Sequence, residues 1–448
     1  MKKVLFVFLS FLLIMPVWAQ KKLTLDEAIK IALQGNTTLI KATNQIASNQ
    51  AQLKNAYGKL LPTVSASGSF YWQRINDAGG TQIDYLGQQT NVAPSQSESK
   101  NYSASIGGGI TLFDGLSTFA NISQQGNNLD AAEYSLEKQK QDIVLQTTTY
   151  FYAVLNSDEL QKVREENVKY YQKFFETVQE RNRLGSVAKA DVYTAQVQLG
   201  NAELQLIQSQ NDYETAVTTL LNYLSLNVLE DYVLVDPFGG SKTVDTDSYM
   251  KDFTDVGTMV SAALDNRFDF KAQESTLQSA GNGLTIARSG LLPSLTGSYS
   301  YGSSAVSTKD LFNRKVLGLG LSLNIPIFSN WGTETQIEYA KVSELNAEED
   351  LSALERKIKI EVKQGYLDLL AAKKSLDVAT NTVTSAEETR KINQERYNLG
   401  SGTILDVLQS DRDYTDALRN KINATYDFHA KYDKLKNALG KLDAKKYE

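Results

Sequence analysis

Few side chains in this 448-residue sequence could carry chemistry. Cysteine is absent, which excludes disulfides, thiolate metal sites and a thiol nucleophile. The one histidine, His429, follows Phe428 on an apolar helical pattern, with no Ser-His-Asp arrangement, zinc pattern or paired acids around it. "GGSKT" from Gly239 has the outline of a phosphate loop, but Ser241 stands where glycine is required and no earlier glycine has the right spacing. Glu348-Glu349-Asp350 and Asp411 with Asp413 read as solvated helix faces. No catalytic site, cofactor or metal is expected. What does recur is a polar turn: "ERNRLGSVAKADVYTAQ" from Glu180 returns as "ERYNLGSGTILDVLQSD" from Glu395. Each copy places an aspartate, Asp191 or Asp406, where a following helix would begin, a position at which the helix dipole favours a carboxylate.

The elements that position these turns are themselves written twice. "LLPTVSASGSFYW" around Pro62 answers "LLPSLTGSYSYG" around Pro293, and "ITLFDG" ending at Gly115 answers "IPIFSNWG" ending at Gly332. A unit of about 215–230 residues is too long for a solenoid repeat and reads as an internal duplication. Each half reads helix, strand, strand, helix, turn, helix. Thr24 followed by Glu27 is a capping box that opens a helix with a break near Gly35-Asn36, running to about Gly58. The second half answers over 256–287, broken near Asn266.

The hydrophobic period then changes to two. Tyr102, Ala104, Ile106, Gly108, Ile110 and Leu112 alternate with small polar residues, and Leu317, Leu319, Leu321, Leu323, Ile325 and Ile327 do the same. Strands are expected over about 62–75, 102–113, 293–302 and 316–328. A dozen residues at ~3.4 Å each, tilted by ~45°, cover a little under 30 Å, the apolar height of a bilayer. Tyr71, Trp72, Tyr299, Tyr301, Phe113, Phe328 and Trp331 fall near the strand ends, as an interfacial girdle requires. The segments 76–101 and 303–314 are expected as exposed loops.

The helices form the larger part. Leu129, Leu136, Ile143 and Tyr150 fall seven apart, as do Val192, Leu199, Leu206, Tyr213 and Leu220. Val362, Leu369, Leu376 and Val383, then Val407, Tyr414, Phe428 and Leu435, repeat the spacing, which is that of coiled-coil packing. One helix is expected to run from about 126 to 184. The N-terminal residues 1–19 have the basic start, apolar run and Val17-x-Ala19 step of a secretory signal, so the exported chain should begin near Gln20. Beyond it no apolar stretch reaches the ~18 residues of a spanning helix, so any membrane crossing must use strands. A formal charge of −6 and no basic cluster with interleaved aromatics argue against nucleic acid as a partner.

In order, spacing and duplication, "LTLDEAIKIALQGN", the two "LLP" segments and "ERYNLGSGTILDV" resemble the TolC family of outer-membrane efflux proteins, over essentially all of the exported sequence. The resemblance implies an α+β membrane protein. It is a homotrimer in which each protomer gives four strands to one 12-stranded barrel, continued by a long periplasmic coiled-coil barrel. It divides the chain into a first repeat (20–225), a connector and equatorial region (226–255), a second repeat (256–440) and a short tail (441–448). It also implies residence in the outer-membrane lipid with extension into the periplasm, a periplasmic adaptor, and an inner-membrane transporter of RND or ABC type. The cargo would be small toxic compounds or a secreted polypeptide. Leu184-Gly185-Ser186 and Leu399-Gly400-Ser401 match hairpin tips on which the adaptor docks. Asp406 matches one acidic residue of the pore entrance, whereas the second acidic position is Gln409. Tyr397 and Asp191 match members of the links that close the entrance, and the linking arginine falls at Gly402. The competing reading is a non-conducting exported stalk or adhesin with a β anchor, which would have no use for a duplicated strand pair.

Overall fold

In this computed structural model the described residues are 21–238, 245–251, 253 and 255–447. The expected secretory signal and the phosphate-loop-like Gly239–Thr243 stretch lie outside them. The first half runs β1 (Lys21–Leu23), α1 (Leu25–Gly35), α2 (Thr37–Gly58), β2 (Ser65–Asp77), β3 (Gly80–Ile83), β4 (Gln89–Val92), β5 (Ser95–Phe113), α3 (Ser117–Arg183) and α4 (Lys189–Tyr223). β6 (Tyr232–Leu234) and α5 (Thr246–Met250) follow. The second half runs α6 (Val256–Asn266), α7 (Phe268–Ser289), β7 (Ser294–Ala305), β8 (Val316–Asn324), α8 (Gly332–Asn398) and α9 (Ile404–Ala438).

Corresponding helices have equal lengths: 11 residues in α1 and α6, 22 in α2 and α7, 67 in α3 and α8, and 35 in α4 and α9. The ends have local causes. Thr24 Oγ1 accepts from Glu27 N at 3.2 Å while Glu27 Oε2 accepts from Thr24 N at 2.9 Å, the reciprocal box that starts α1. Asn36 breaks the helix, its side chain accepting from Thr38 N at 2.9 Å to start α2. At the matching break before α7 stands Arg267, buried and paired with Glu361 at 2.7 Å.

The chain divides into two compact units. One, residues Lys41–Leu136 and Phe268–Arg356, contains an antiparallel sheet in the order β2-β5-β7-β8. Its register sorts the side chains cleanly. Rows such as Ser67↔Ser105↔Gly302 and Gly107↔Ser300↔Gly318 occupy one face, and rows such as Ala66↔Ile106↔Tyr301↔Leu317 occupy the other. The small face is laced by hydroxyl contacts, Ser67 to Ser105 at 2.9 Å and Ser69 to Ser103 at 2.7 Å. Along β8, Leu317, Leu319, Leu321 and Leu323 are 62–79% exposed, an apolar ridge without cover in the single chain. Gly108 has a steric reason: a Cβ there would lie 1.7 Å from the Thr63 carbonyl oxygen, which accepts from Tyr299 Oη at 2.8 Å.

The strands differ from expectation at their ends. β5 begins at Ser95, well ahead of residue 102, because β2 and β5 stay paired out to Asp77↔Ser95. The expected loop over 76–101 is therefore mostly strand, with the β3–β4 hairpin at its tip. β8 stops at Asn324 instead of 328, since Pro326 cannot donate to a ladder. Among the described residues no helix is long and apolar enough to cross a membrane.

The other unit comprises the chain up to Ile40, Glu137–Arg267 and Lys357 onward. Here the spacing of seven is realised as a buried row: Ile358, Val362, Leu369, Leu376, Phe428 and Leu435 are all at most 4% exposed. β1 pairs in parallel with β6, and the segment after β6 lays Phe238 flat on His429, ring centroids 3.9 Å apart. Tyr152, Tyr249 and Phe428 surround the same imidazole. His429 is thus a core side chain. Burial lowers its pKa to about 4, with Asp236 opposing the shift, so it is neutral throughout the physiological range.

A folded-state pKa near 4 against about 6.5 in the unfolded chain means that the unfolded state binds the proton first as pH falls. The resulting loss, about 3 kcal/mol when complete, develops between pH 6.5 and 4 and is absent above it. His429→Phe should therefore lose less thermal stability than wild type on going from pH 7 to pH 4.5. Unfolding in detergent at the two pH values measures the difference, and equal losses would contradict it.

Candidate functional site at the hairpin tips

Within the second unit α3 and α4 form one hairpin and α8 and α9 another. Both turns are built alike. Ser186 N donates to Arg181 O at 2.8 Å and Gly185 N to Asn182 O at 2.9 Å. Ser401 N donates to Arg396 O at 2.8 Å and Gly400 N to Tyr397 O at 3.2 Å. These are the 6→1 and 5→2 bonds of a Schellman motif, which needs a left-handed residue just past the helix. Gly185 at φ 74° and Gly400 at φ 75° supply it. The repeated Leu-Gly-Ser is thus the chemistry of stopping a helix sharply, and it leaves Leu184 and Leu399 exposed.

The two aspartates that follow are not equivalent. Asp406 closes a capping box on Thr403: its Oδ2 accepts from Thr403 N at 3.0 Å, and its own N–H donates to Thr403 Oγ1 at 3.2 Å. Those bonds, with a smaller effect of Arg396, hold its carboxyl below the usual carboxylate range. In the first hairpin the cap position is Ala188, which makes no side-chain bond. Asp191 therefore has no box to close, and its charge acts on the Tyr397 hydroxyl.

Tyr397 is buried at the end of α8, its ring 6.0 Å from Phe174 of α3. Arg181, also on α3, places its guanidinium 5.0 Å from the Tyr397 ring centre. It also donates to Tyr397 O at 3.3 Å, Asn398 O at 3.3 Å and Asn398 Oδ1 at 3.1 Å. A cation on the last carbonyls of α8 complements both their unpaired lone pairs and the negative end of the helix dipole. Burial raises the Tyr397 pKa, with Arg181 opposing and Asp191 adding to the rise. At Gly402 a Cβ would stand 3.1 Å from Arg396 Cβ and Tyr397 N, so an arginine there would crowd the turn. Gln409 lies exposed and donates to Asp413 one turn on, at 2.8 Å.

Some of this was not visible in the sequence. Arg181 gave no signal, because its partners lie 216 and 217 residues away. Asp411, expected as solvated, is 1% exposed and paired with Arg390 at 2.9 Å. The available clue was position: Arg390 falls seven residues after Val383, inside the apolar row.

The profile of the outer membrane efflux protein family matches residues 28–225 and 259–441. The chain belongs to the outer membrane efflux protein family. It is 24% identical to outer membrane protein TolC of Vibrio cholerae over 421 residues, covering 90% of this chain and 91% of that protein. To TolC of Salmonella enteritidis it is 25% identical, covering 95% and 87%. Among solved structures, CusC superposes with a TM-score of 0.81 at 17% identity, covering 94% of each chain. The Campylobacter jejuni CmeC outer membrane channel does so at 0.77 and 18%, covering 94% of this chain and 88% of that one. This outer membrane efflux protein therefore has the TolC-like fold, resides in the outer membrane and is an exit channel of an efflux system. The family is one of channels and not of enzymes.

Gly400→Ala meets no neighbour within 4 Å, so its cost is the positive φ alone, about 1 kcal/mol. Amide exchange across the second turn should quicken roughly fivefold, as it should across the first in Gly185→Ala. Unchanged exchange would mean that the turns do not depend on the left-handed residue.

Proposed function

We propose that three copies of this chain close one barrel and form a passive conduit, gated at the hairpin tips. The observation that carries this reading is the sheet, which among the described residues has four strands, two unpaired edges at β2 and β8, one small polar face and one exposed apolar face. Four strands cannot enclose a lumen, and open edges are not tolerated in hydrocarbon, so copies must share the barrel. Three copies give twelve strands, with the serine and glycine rows lining the interior. The two hairpins of each chain then supply two of six units around the periplasmic entrance, which accounts for the turn being present twice. Residues 20–225 and 256–440 act as the two repeats, and 226–255 as the equatorial connector between them.

At that entrance Asp406 from each copy forms one acidic ring. Gln409 leaves the next ring neutral, and Arg181 takes the place of the arginine absent at Gly402 as partner of Tyr397 beside Asp191. The exposed Leu184 and Leu399, with Gly185, Ser186, Gly400 and Ser401, offer the surface on which a periplasmic adaptor docks. An inner-membrane transporter of RND or ABC type supplies the energy. Docking opens the tips only insofar as the adaptor binds the open arrangement more tightly.

Single-channel recording in planar bilayers tests the reading. Wild type should show a modest cation preference that Asp406→Asn removes without a large change in thermal stability, since asparagine can still accept from Thr403. An unaltered preference would leave Asp406 as a helix cap alone, and absence of any conductance from the folded protein would refute the conduit.

A further inference from the structure

Arginines from both hairpins converge on one cleft. On α9, Gln409, Arg412, Asp416 and Arg419 follow at steps of three, four and three residues and so share one side of the helix, beginning one turn beyond Asp406. On α4, Gln198, Asn201 and Gln205 repeat the steps of three and four. α3 bonds to both helices: Asn167 Nδ2 donates to Thr415 Oγ1 of α9 at 2.7 Å, and Arg164 Nη1 donates to Gln205 Oε1 of α4 at 2.6 Å. Gln409 excepted, these residues line a cleft of about 440 Å³, with the buried Ala202 and Thr415 and the exposed Leu204 also in its wall. The charges of the cleft do not balance. Arg164, Arg412 and Arg419 meet one carboxylate, Asp416, which lies 3.3 Å from Arg419, so two positive charges are unanswered. Among the described residues Arg164 is tied to a neutral amide, and the exposed Arg412 has no hydrogen-bond or ion-pair partner. Burial lowers the Arg164 pKa and the nearby Arg419 lowers it further, against Asp416. The facing side of α4, where acids would answer these cations, carries amides instead.

We infer that this cleft binds the oxyanion group of a passing solute, a sulfonate, phosphate or carboxylate, with Arg412 and Arg419 as its forks and Arg164 and the α4 amides as further donors. A guanidinium has five N–H donors and no acceptor, and its planar fork matches such a group bidentately. This rests on the reading of the Asp406 side of α9 as lining the entrance. Arg412 and Arg419 then stand ~9 and ~20 Å beyond the Asp406 ring along the helix axis. An anion that has passed the single acidic ring meets compensating charge directly behind it. The neutral residue at 409 has a part in this: an acid there, one turn before Arg412, would pair with it and occupy the fork. Glutamine turns to Asp413 and leaves the fork free.

The test is single-channel recording of the full chain in planar bilayers, with naphthalenesulfonate or sulfate added on the side of the hairpin tips, and thermal unfolding of the same preparations in detergent. The sulfonate should block wild-type current in brief closures. Arg412→Gln with Arg419→Gln should raise the half-blocking concentration roughly tenfold, with the melting temperature little changed because both side chains are exposed. The same variant should prefer cations more strongly than wild type, a shift that arginines outside the tunnel would not produce. Block by sulfate as well assigns the cleft to the oxyanion alone, whereas block by the sulfonate only assigns it to anions with an apolar body, held against Leu204. Equal block of wild type and variant, or block by neither anion, overturns the site. Should the double variant fail to fold, Arg412→Lys keeps the charge but not the fork, and the half-blocking concentration should still rise severalfold; no rise overturns the proposal. A wild-type protein that passes no current overturns the conduit reading, and the cleft is then decided by melting: the sulfonate should stabilise wild type more than the double variant, and equal stabilisation overturns it.

Discussion

Hydrocarbon offers no partner to a backbone N–H or C=O, and a sheet of four strands has two open edges in it. Everything else in this chain follows from how that is resolved. β2 and β8 must each find another strand, and the leucine ridge of β8 must find lipid, so the folded single chain is an incomplete object. The two-faced register excludes a soluble sandwich, which would have buried the apolar rows. It also explains the composition: the opposite face is serine and glycine because its cross-strand neighbours stand too close for larger groups, as the Ser298 and Ser300 hydroxyls 2.9 Å from where Cβ atoms of Gly320 and Gly318 would be illustrate.

The hairpins solve a different problem with a different currency of contacts. Along most of α8 the seam is aliphatic and non-directional, and it resists separation through area removed from water. Near the turn it becomes directional: an ion pair between rings, then a cation on carbonyl groups. Non-directional packing tolerates sliding but not exposure. Hydrogen-bonded contacts define one geometry and can be exchanged for water. The hairpin thus changes along its length from contacts held by buried area to contacts held by geometry.

Much of this was legible because it depends on local rules. The Thr24–Glu27 box, the break at Asn36, the period-two runs and the sevens of Val362, Leu369 and Leu376 are each set by neighbours in sequence, and the structure has them in place. The β3–β4 hairpin was not legible, since a Gly-, Ser- and Gln-rich stretch carries no alternation and is held as strand by pairing alone. Asp411 was misread as solvated for a related reason: a carboxylate on a helix is normally on the wet side, and what reverses that here is an arginine on another helix. Arg181 escaped because its partners are carbonyl oxygens, which no sequence distinguishes. Long-range electrostatic partners are the part of such a site that periodicity cannot show.

The halves agree to the residue in every long helix and disagree in one place. Leu25 and Val256 begin corresponding helices 231 residues apart, whereas Ser117 and Gly332 begin theirs 215 apart, so sixteen extra residues sit in the first half around the strands. They are accommodated where β2, the β3–β4 hairpin and β5 extend. The helices have no such freedom: with Arg181 of one hairpin seated on Asn398 of the other, the two turns must arrive level. Each half therefore serves as the ruler for its twin. Losing one heptad from α3 and α4 alone would leave that turn about 10 Å short of its neighbour. A change in tunnel length is accordingly accessible to this architecture only as a matched edit in four helices at once, while the strand connections can lengthen or shorten independently.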